Sequence, residues 1–198
     1  MDAAKDMLEA QIGAFLDELA SEDPTPGAGA AAGIAVAMAA ALCAMAARAS
    51  RGTWSGAQGA LAQAEALRHR ATPLPATNAR AYEDALVALR LRGEPASSIR
   101  DEALGDALAR AAELPLAIAR AGSDVAELAA AIASAGDPAW RGDAIAAALL
   151  AAAGARAAAN LVSVNLGVTE QDERLVAARK HADAGADAAR RAETGAIS

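Results

Sequence analysis

Aromatic residues are nearly absent from this chain of 198 residues, which holds two Trp, one Tyr and one Phe. Large rings supply much of the apolar area buried in ordinary cores, so a core here must be built from Leu, Val, Ile and many alanines. Alanine combines the highest helix propensity with a small side chain. We therefore expect closely spaced helices in an almost wholly helical protein, with burial completed by contact with a second subunit.

Cysteine and excess basic charge are also scarce. The single cysteine, Cys43, excludes a disulfide framework or a Cys-based metal site within one chain. The formal net charge of −7 argues against general nucleic-acid binding, because no basic stripe dominates. The N-terminal stretch is acidic and amphipathic, unlike a signal peptide. We expect a cytoplasmic protein.

Common catalytic motifs are missing as well. His69 and His181 lie far apart, and neither has a second histidine at metal-ligand spacing. We expect both at the surface and no metal site. The sequence contains neither a Gly-x-Ser-x-Gly elbow nor a phosphate-binding Walker loop, and the Gly27–Gly29 turn does not follow a strand.

Charge is absent from Pro24 to Ala47, the most informative stretch of the chain. A turn rich in proline and glycine leads there into a long run of Ala, Gly, Met, Val and Ile. An uncharged helix in a soluble chain has to be covered by other helices. The run is long enough to raise the question of a membrane span, but Ala and Gly are much less lipophilic than Leu, so we favour a buried helix and no membrane.

Periodicity and breakers predict an all-α fold, an up-and-down helical bundle around a buried, uncharged central helix, forming one domain over residues 1–198. The predicted starts and breaks are an amphipathic first helix to Ser21, the central helix from Pro26 to about Ala49, a helix over Ala57–Ala71, a cap at Thr77 or Asn78, a cap at Ser97 or Ser98, a kink at Pro115, a new cap at Ser123, a cap at Asp137 before Pro138, an end at Gly167, and Thr169 or Asp172 before a charged surface helix.

Two features suggest chemistry, each with a structural alternative. The turn from Pro24 to Gly29 either lets helices pack closely or presents backbone N–H groups to a ligand's negative atoms. Asp143 either complements a helix dipole or acts as a general base with a raised pKa. Asn160 and Asn165 stand in an apolar stretch, where amides hold a ligand or satisfy helix ends.

Four segments together resemble the cyclodeaminase/cyclohydrolase family, which comprises the C-terminal half of formiminotransferase–cyclodeaminase and the stand-alone methenyltetrahydrofolate cyclohydrolases. The resemblance covers nearly the whole chain in order and spacing, and the turn before the uncharged helix is its most specific part. It implies an all-helical bundle that dimerises through its long helices. The segments are FLDELASEDPTPGAGAAAGIAVAMAAAL, AELPLAIAR, GDAIAAALLAAA and AANLVSVNLG.

The chain departs from the family pattern at several positions. In the family turn, Pro-x-Pro-Gly-Gly-Gly-Ser, Ala28 replaces a glycine and Ala30 replaces the serine. Asn78 stands where the family has an aspartate at the start of a helix. The segment Arg51–Trp54 lacks the family's lysines. The positions that match are Pro24, Pro26, Gly27 and Gly29 in the turn, together with Glu113–Leu116, Asp143, Asn160 and Asn165.

The resemblance implies a lyase or hydrolase acting on a C–N bond of a one-carbon-substituted tetrahydrofolate. In the cyclodeaminase reaction a nitrogen attacks a formimino carbon and ammonia leaves; in the cyclohydrolase reaction water opens a methenyl bridge. The substrate is a small molecule, no cofactor is tightly bound, and a homodimer is expected. Asp143 and Asn78 are the expected catalytic positions, and the expected binding residues are Pro26, Gly27, Ala28, Gly29, Asn160, Asn165, Arg48 and Arg51, with Arg141 near the substrate's glutamate tail.

Two alternatives stay open at this point. The same scaffold can serve cyclisation or dehydration of a non-folate substrate in specialised metabolism, since Ala30 and Asn78 make the pocket less polar or less acidic. The second alternative is a non-catalytic helical protein that acts by binding a partner. A pocket filled by Trp54, Tyr82 or Trp140 would favour this alternative.

Overall fold

The computed structural model describes residues 12–90, 98–166 and 172–195, and these ranges contain helices and turns without a strand. The all-α prediction is therefore confirmed. A 3₁₀ turn at Ser50–Gly52 follows α2, and another at Pro138–Trp140 precedes α6. The helices are α1 (Ile12–Leu19), α2 (Ala28–Ala49), α3 (Ala57–Ala71), α4 (Leu74–Arg90), α5 (Ser98–Ala135), α6 (Arg141–Leu166) and α7 (Glu173–Thr194).

The bundle is arranged up and down, as predicted. A Cβ added at Gly122 on α5 would lie 2.8 Å from the carbonyl oxygen of Ala151 on α6. The Asn165 amide near the end of α6 reaches the Ala111 carbonyl on α5, so the two helices run antiparallel. Helix α2 also runs antiparallel to α6, because Gly154 near the middle of α6 meets Val36 on α2 and Asn165 near the end of α6 lines one cleft with Gly27 at the start of α2.

The core is made mainly of alanine, and its helices approach closely at glycines. The largest fully buried side chains include Ile118, Val36, Val125 and Val162. At Gly154 an added Cβ would lie 2.7 Å from Cγ2 of Val36 and 3.0 Å from the Ala32 carbonyl oxygen. Helices α2 and α6 therefore touch backbone to side chain, with no room for one more methyl group.

Several predicted boundaries are confirmed and two caps are wrong. Asp137 accepts a hydrogen bond from the Ala139 N–H, and Asp172 accepts one from the Arg174 N–H, so both cap as predicted. Thr77 and Asn78 lie inside α4, which already begins at Leu74. Proline is tolerated in a first helical turn, where the N–H has no helical partner, and the Pro75 ring packs against Gly33.

Helix α5 is the other correction, because it continues over 38 residues through Ser123, where a new cap is predicted. It also contains Pro115, where the kink stays a prediction. Ser123 is a buried helix residue rather than a new cap, and Gly122 before it allows the close approach of α6. The predicted ends at Ser97, Gly167 and Thr169 lie outside the described residues. The charged α7 is only partly a surface helix, since Leu175, Gly185 and five alanines on one face are buried.

Two segments, Ala28–Gly52 and Pro138–Asn165, are long and apolar enough to cross a membrane by length and composition alone. The core helix of a soluble protein passes the same test. In α2, eleven residues are buried on the face turned toward the other helices, while Met38 on the opposite face is 49% exposed. The uncharged helix is therefore covered on one side of the protomer only.

Candidate functional site

A cleft of about 200 Å³ lies where the start of α2, the first half of α4 and the end of α6 meet. It places two regions together that the sequence analysis selected separately, the glycine turn and the late asparagine. The antiparallel pairing of α2 and α6 is the cause, since it brings the first turn of one helix to the last turn of the other. The lining residues are Pro24, Thr25, Gly27, Ala28, Gly29, Asn78, Ala79, Tyr82, Leu161, Val164 and Asn165.

The start of α2 presents backbone N–H groups to this cleft. The first helical hydrogen bond runs from the Ala31 N–H to the Gly27 carbonyl, so the N–H groups of Ala28 to Ala30 come before the helical ladder. Gly27, the N-cap residue, has an extended backbone and no side-chain cap. Such N–H groups, with the positive end of the helix dipole, stabilise negative charge on a ligand atom.

Asn78 lies directly against this helix start. A Cβ built on Gly29 would lie on the Asn78 Nδ2 and 2.7 Å from its Cγ. Only glycine at position 29 leaves space for the amide. The contact therefore explains the second glycine of the turn, and it holds the Asn78 amide beside the N–H groups of α2.

Asn165 lines the cleft from the end of α6, and the nitrogen of its side-chain amide already donates a hydrogen bond within the protein. Its Nδ2 donates a hydrogen bond of 2.7 Å to the Ala111 carbonyl oxygen on α5. The Oδ1 atom is thereby left as the acceptor. The cleft thus offers backbone donors on the α2 side and an amide acceptor on the α6 side.

Two hydroxyl groups that the sequence analysis did not propose as catalytic also line the cleft. The Thr25 hydroxyl donates a hydrogen bond of 2.7 Å to Oε1 of Glu83 on α4, and the Thr25–Pro26 peptide bond is cis. Tyr82 occupies the next turn of α4 after Asn78. A spacing of four residues puts Tyr82 and Asn78 on one helix face. This spacing was the feature of the sequence that could have indicated Tyr82 as a residue of the site.

Several of the predicted site residues lie elsewhere. Asp143 is in the first turn of α6, a helix of 26 residues. With a rise of 1.5 Å per residue, its ends are about 39 Å apart, so Asp143 is more than about 30 Å from Asn165. The sequence predicts the two in one site, and a single protomer does not bring them together.

The predicted cations are also at that far end. Arg48, near the end of α2, is neutralised by an ion pair of 2.8 Å with Glu65 on α3. Arg51 is exposed in the turn that follows. Asn160 is exposed on α6, and neither it nor Pro26 is among the residues that line the cleft.

Other reactive groups are unsuited to chemistry or distant. Burial raises the pKa of the Cys43 thiol to about 12, which keeps it protonated. Burial lowers the pKa of His181. Within the described ranges, no group of three His, Cys, Asp or Glu side chains comes together to hold a metal ion.

Comparison with known proteins agrees with the fold. The sequence model of formiminotransferase-cyclodeaminase matches residues 11–184. The chain belongs to the formiminotransferase-cyclodeaminase family. It is similar in fold to the crystal structure of formiminotetrahydrofolate cyclodeaminase from Thermotoga maritima, with a TM-score of 0.82 and 22% identity over 94% of this chain and 96% of that one. No match was found among curated proteins.

The departures from the family pattern are concentrated at the cleft. Ala28 and Asn78 line it, and Ala30 is buried in the first turn of α2 beside it. At positions 78 and 30, the carboxylate and the hydroxyl of the family pattern are therefore replaced by an amide and a methyl group. Trp54 packs on Gly56 and is not among the lining residues, nor is Trp140.

Proposed function

We propose that the cleft binds a one-carbon-substituted tetrahydrofolate and catalyses a cyclodeaminase or cyclohydrolase reaction. The observation that carries the proposal is the meeting of the α2 start, Asn78 and Asn165 in one open cleft of a chain in this family. The N–H groups at the start of α2 stabilise negative charge that develops on the substrate. The two amides orient the one-carbon unit, and the rest of the substrate extends from the mouth of the cleft.

Turnover by the purified protein tests this proposal. We expect an absorbance change with formiminotetrahydrofolate, with methenyltetrahydrofolate, or with both. We also expect Asp143→Asn to keep the wild-type rate, because Asp143 is more than about 30 Å from the cleft of its own protomer. No turnover and no binding of either folate in calorimetry would contradict the proposed function. A large loss of rate in Asp143→Asn would mean that the partner subunit's Asp143 acts at the cleft.

A smaller, non-folate substrate is the second candidate. A cleft of about 200 Å³ is below the usual range of ligand pockets, roughly 300–1,000 Å³. Its lining contains no carboxylate among the described residues. If calorimetry shows no folate binding while the cleft still accepts small neutral amides, a cyclisation or dehydration of such a molecule is favoured. Because the cleft is open, a purely structural partner role is less well supported.

We further propose that the chain is a homodimer through α2 and α6. The exposed or half-exposed face of α2, here called the α2 stripe, is uncharged and consists of Ala31, Ile34, Ala35, Met38, Ala41, Leu42 and Met45. The α6 stripe consists of Ala146, Leu149, Leu150, Ala153, Ala157, Asn160 and Val164, with Arg156 exposed at its edge.

Both stripes point away from α5. On the opposite side of α2, Cys43 reaches the Val125 carbonyl of α5; on α6, Ala151 and Ala155 meet Gly122 of α5. Two neighbouring helices about 33 Å long and about 10 Å wide present several hundred Å². This area is of the order that each partner buries in a stable dimer, about 800 Å².

The Met38→Glu variant tests the dimer. We expect the wild type to sediment as a dimer and Met38→Glu as a monomer, because a carboxylate would be buried without a partner in the interface. Val87→Glu is the matched control, since Val87 on α4 is 57% exposed and lies outside both stripes. A monomeric wild type in analytical ultracentrifugation at micromolar concentration would contradict the proposed dimer.

A further inference from the structure

We propose that Thr25 and Glu83 form the proton-transfer pair of the cleft. The inference rests on the proposed function, because it supplies a step that either folate reaction needs. In both reactions an attacking atom loses a proton and a leaving nitrogen gains one. Some group in the cleft has to hold that proton between the two events.

The lining of the cleft leaves few groups for this task. Asn78 and Asn165 carry amides, which neither gain nor lose protons near neutral pH. The other polar side chains that line the cleft are the hydroxyls of Thr25 and Tyr82. A threonine hydroxyl passes a proton only when a base accepts its own.

Glu83 is placed to be that base. Its Oε1 accepts the hydrogen bond of 2.7 Å from the Thr25 hydroxyl, across the gap between the turn before α2 and helix α4. The Thr25 oxygen keeps free lone pairs that can accept an N–H from the substrate. Glu83 is exposed, so its carboxylate also exchanges protons with water. The pair thus links the interior of the cleft to solvent.

In the cyclodeaminase reaction, the attacking nitrogen forms a bond to the carbon of the protonated formimino group and gives its proton to Thr25 Oγ1. The electron pair of the C=N double bond moves to the formimino nitrogen, which becomes an amino group. The original Thr25 proton moves to Glu83 at the same time. The transfer then reverses and protonates the amino group on that carbon. The bond from carbon to this nitrogen breaks, its electron pair leaves with ammonia, and Thr25 and Glu83 return to their starting state.

Turnover of Glu83→Gln and Thr25→Val tests the pair. We expect kcat to fall by about 100-fold or more in each, the usual contribution of a general acid–base group, with KM little changed. Glu83→Asp and Thr25→Ser should recover part of the rate. Asp84→Asn, one residue along the same exposed surface of α4, should behave as wild type.

Three outcomes would overturn the inference. Wild-type kcat in Glu83→Gln would reject the pair while leaving the proposed function intact. A full loss of kcat in Tyr82→Phe, with Glu83→Gln active, would assign the proton to the tyrosine instead. A wild-type protein that turns over neither folate would reject the proposed function and this step with it. Thermal unfolding of each variant separates these results from loss of the fold.

Discussion

Gly29→Ala is expected to abolish turnover and ligand binding while the bundle stays folded. The added methyl group would occupy the position of the Asn78 amide, so either the side chain or the first turn of α2 must move. Rotation of the side chain takes the Asn78 amide away from the helix start, and movement of the first turn displaces the N–H donors, so either change disrupts the proposed site. Loss of one preorganised donor of this kind costs about 100- to 1,000-fold in rate. Absorbance assays and calorimetry on the purified variant measure both effects.

Two further variants distinguish the collision with the Asn78 amide from a general effect of replacing a helical glycine. Gly59→Ala changes a helical glycine on α3 whose added Cβ would meet no atom within 4 Å, and it should keep full activity. The double variant Gly29→Ala/Asn78→Ala removes the colliding amide and should restore the position of α2 without restoring the amide's role. Wild-type turnover in Gly29→Ala alone would contradict the site.

Gly154→Leu is expected to lower the free energy of unfolding by about 3 kcal/mol or more, since overpacking a close-packed interior forces backbone shifts. The first atom of the new side chain would already meet Val36 Cγ2 at 2.7 Å and the Ala32 carbonyl oxygen at 3.0 Å. The backbone oxygen has no rotamer by which to move aside. Urea unfolding followed by circular dichroism gives the change in free energy.

A glycine substitution made where space exists should change the free energy of unfolding in the opposite direction. Gly59→Ala removes backbone freedom from the unfolded chain and should stabilise the protein by about 0.5–1 kcal/mol. If Gly154→Leu unfolds within about 1 kcal/mol of the wild type, the close contact of α2 with α6 is wrong. The position of the cleft would then be wrong as well, because this contact aligns the two helix ends.

Local signals in the sequence predicted most of the helices. Asp137 before Pro138 and the turn before α2 are strong start signals, and the structure begins helices close to both. The cap at Asn78 failed because a proline also fits a first helical turn, so α4 starts before Pro75. The break at Ser123 failed because contact of Gly122 with α6 outweighs its low helix propensity.

The candidate site was also predictable only in part, because contacts between helices, which local signals do not show, decide which residues meet. The helix start at Gly27–Gly29 and the amides at Asn78 and Asn165 were selected from residue type and resemblance, and they meet in one cleft. Asp143 was assigned to the same site, but the direction in which α6 crosses α2 puts it at the far end. Long-range pairing of this kind leaves no mark in local periodicity. Nothing in the sequence distinguishes Glu83 from the many other acidic residues of the chain.

A crystal of the protein soaked with a reduced folate tests the central claim most directly. We predict ligand density in the cleft, with an electronegative atom within hydrogen-bond distance of the N–H groups of Ala28 to Ala30 and with the Asn165 Oδ1 accepting from the ligand. An empty cleft at saturating folate, or a folate bound only at the far end of α6 near Asp143, would contradict the account.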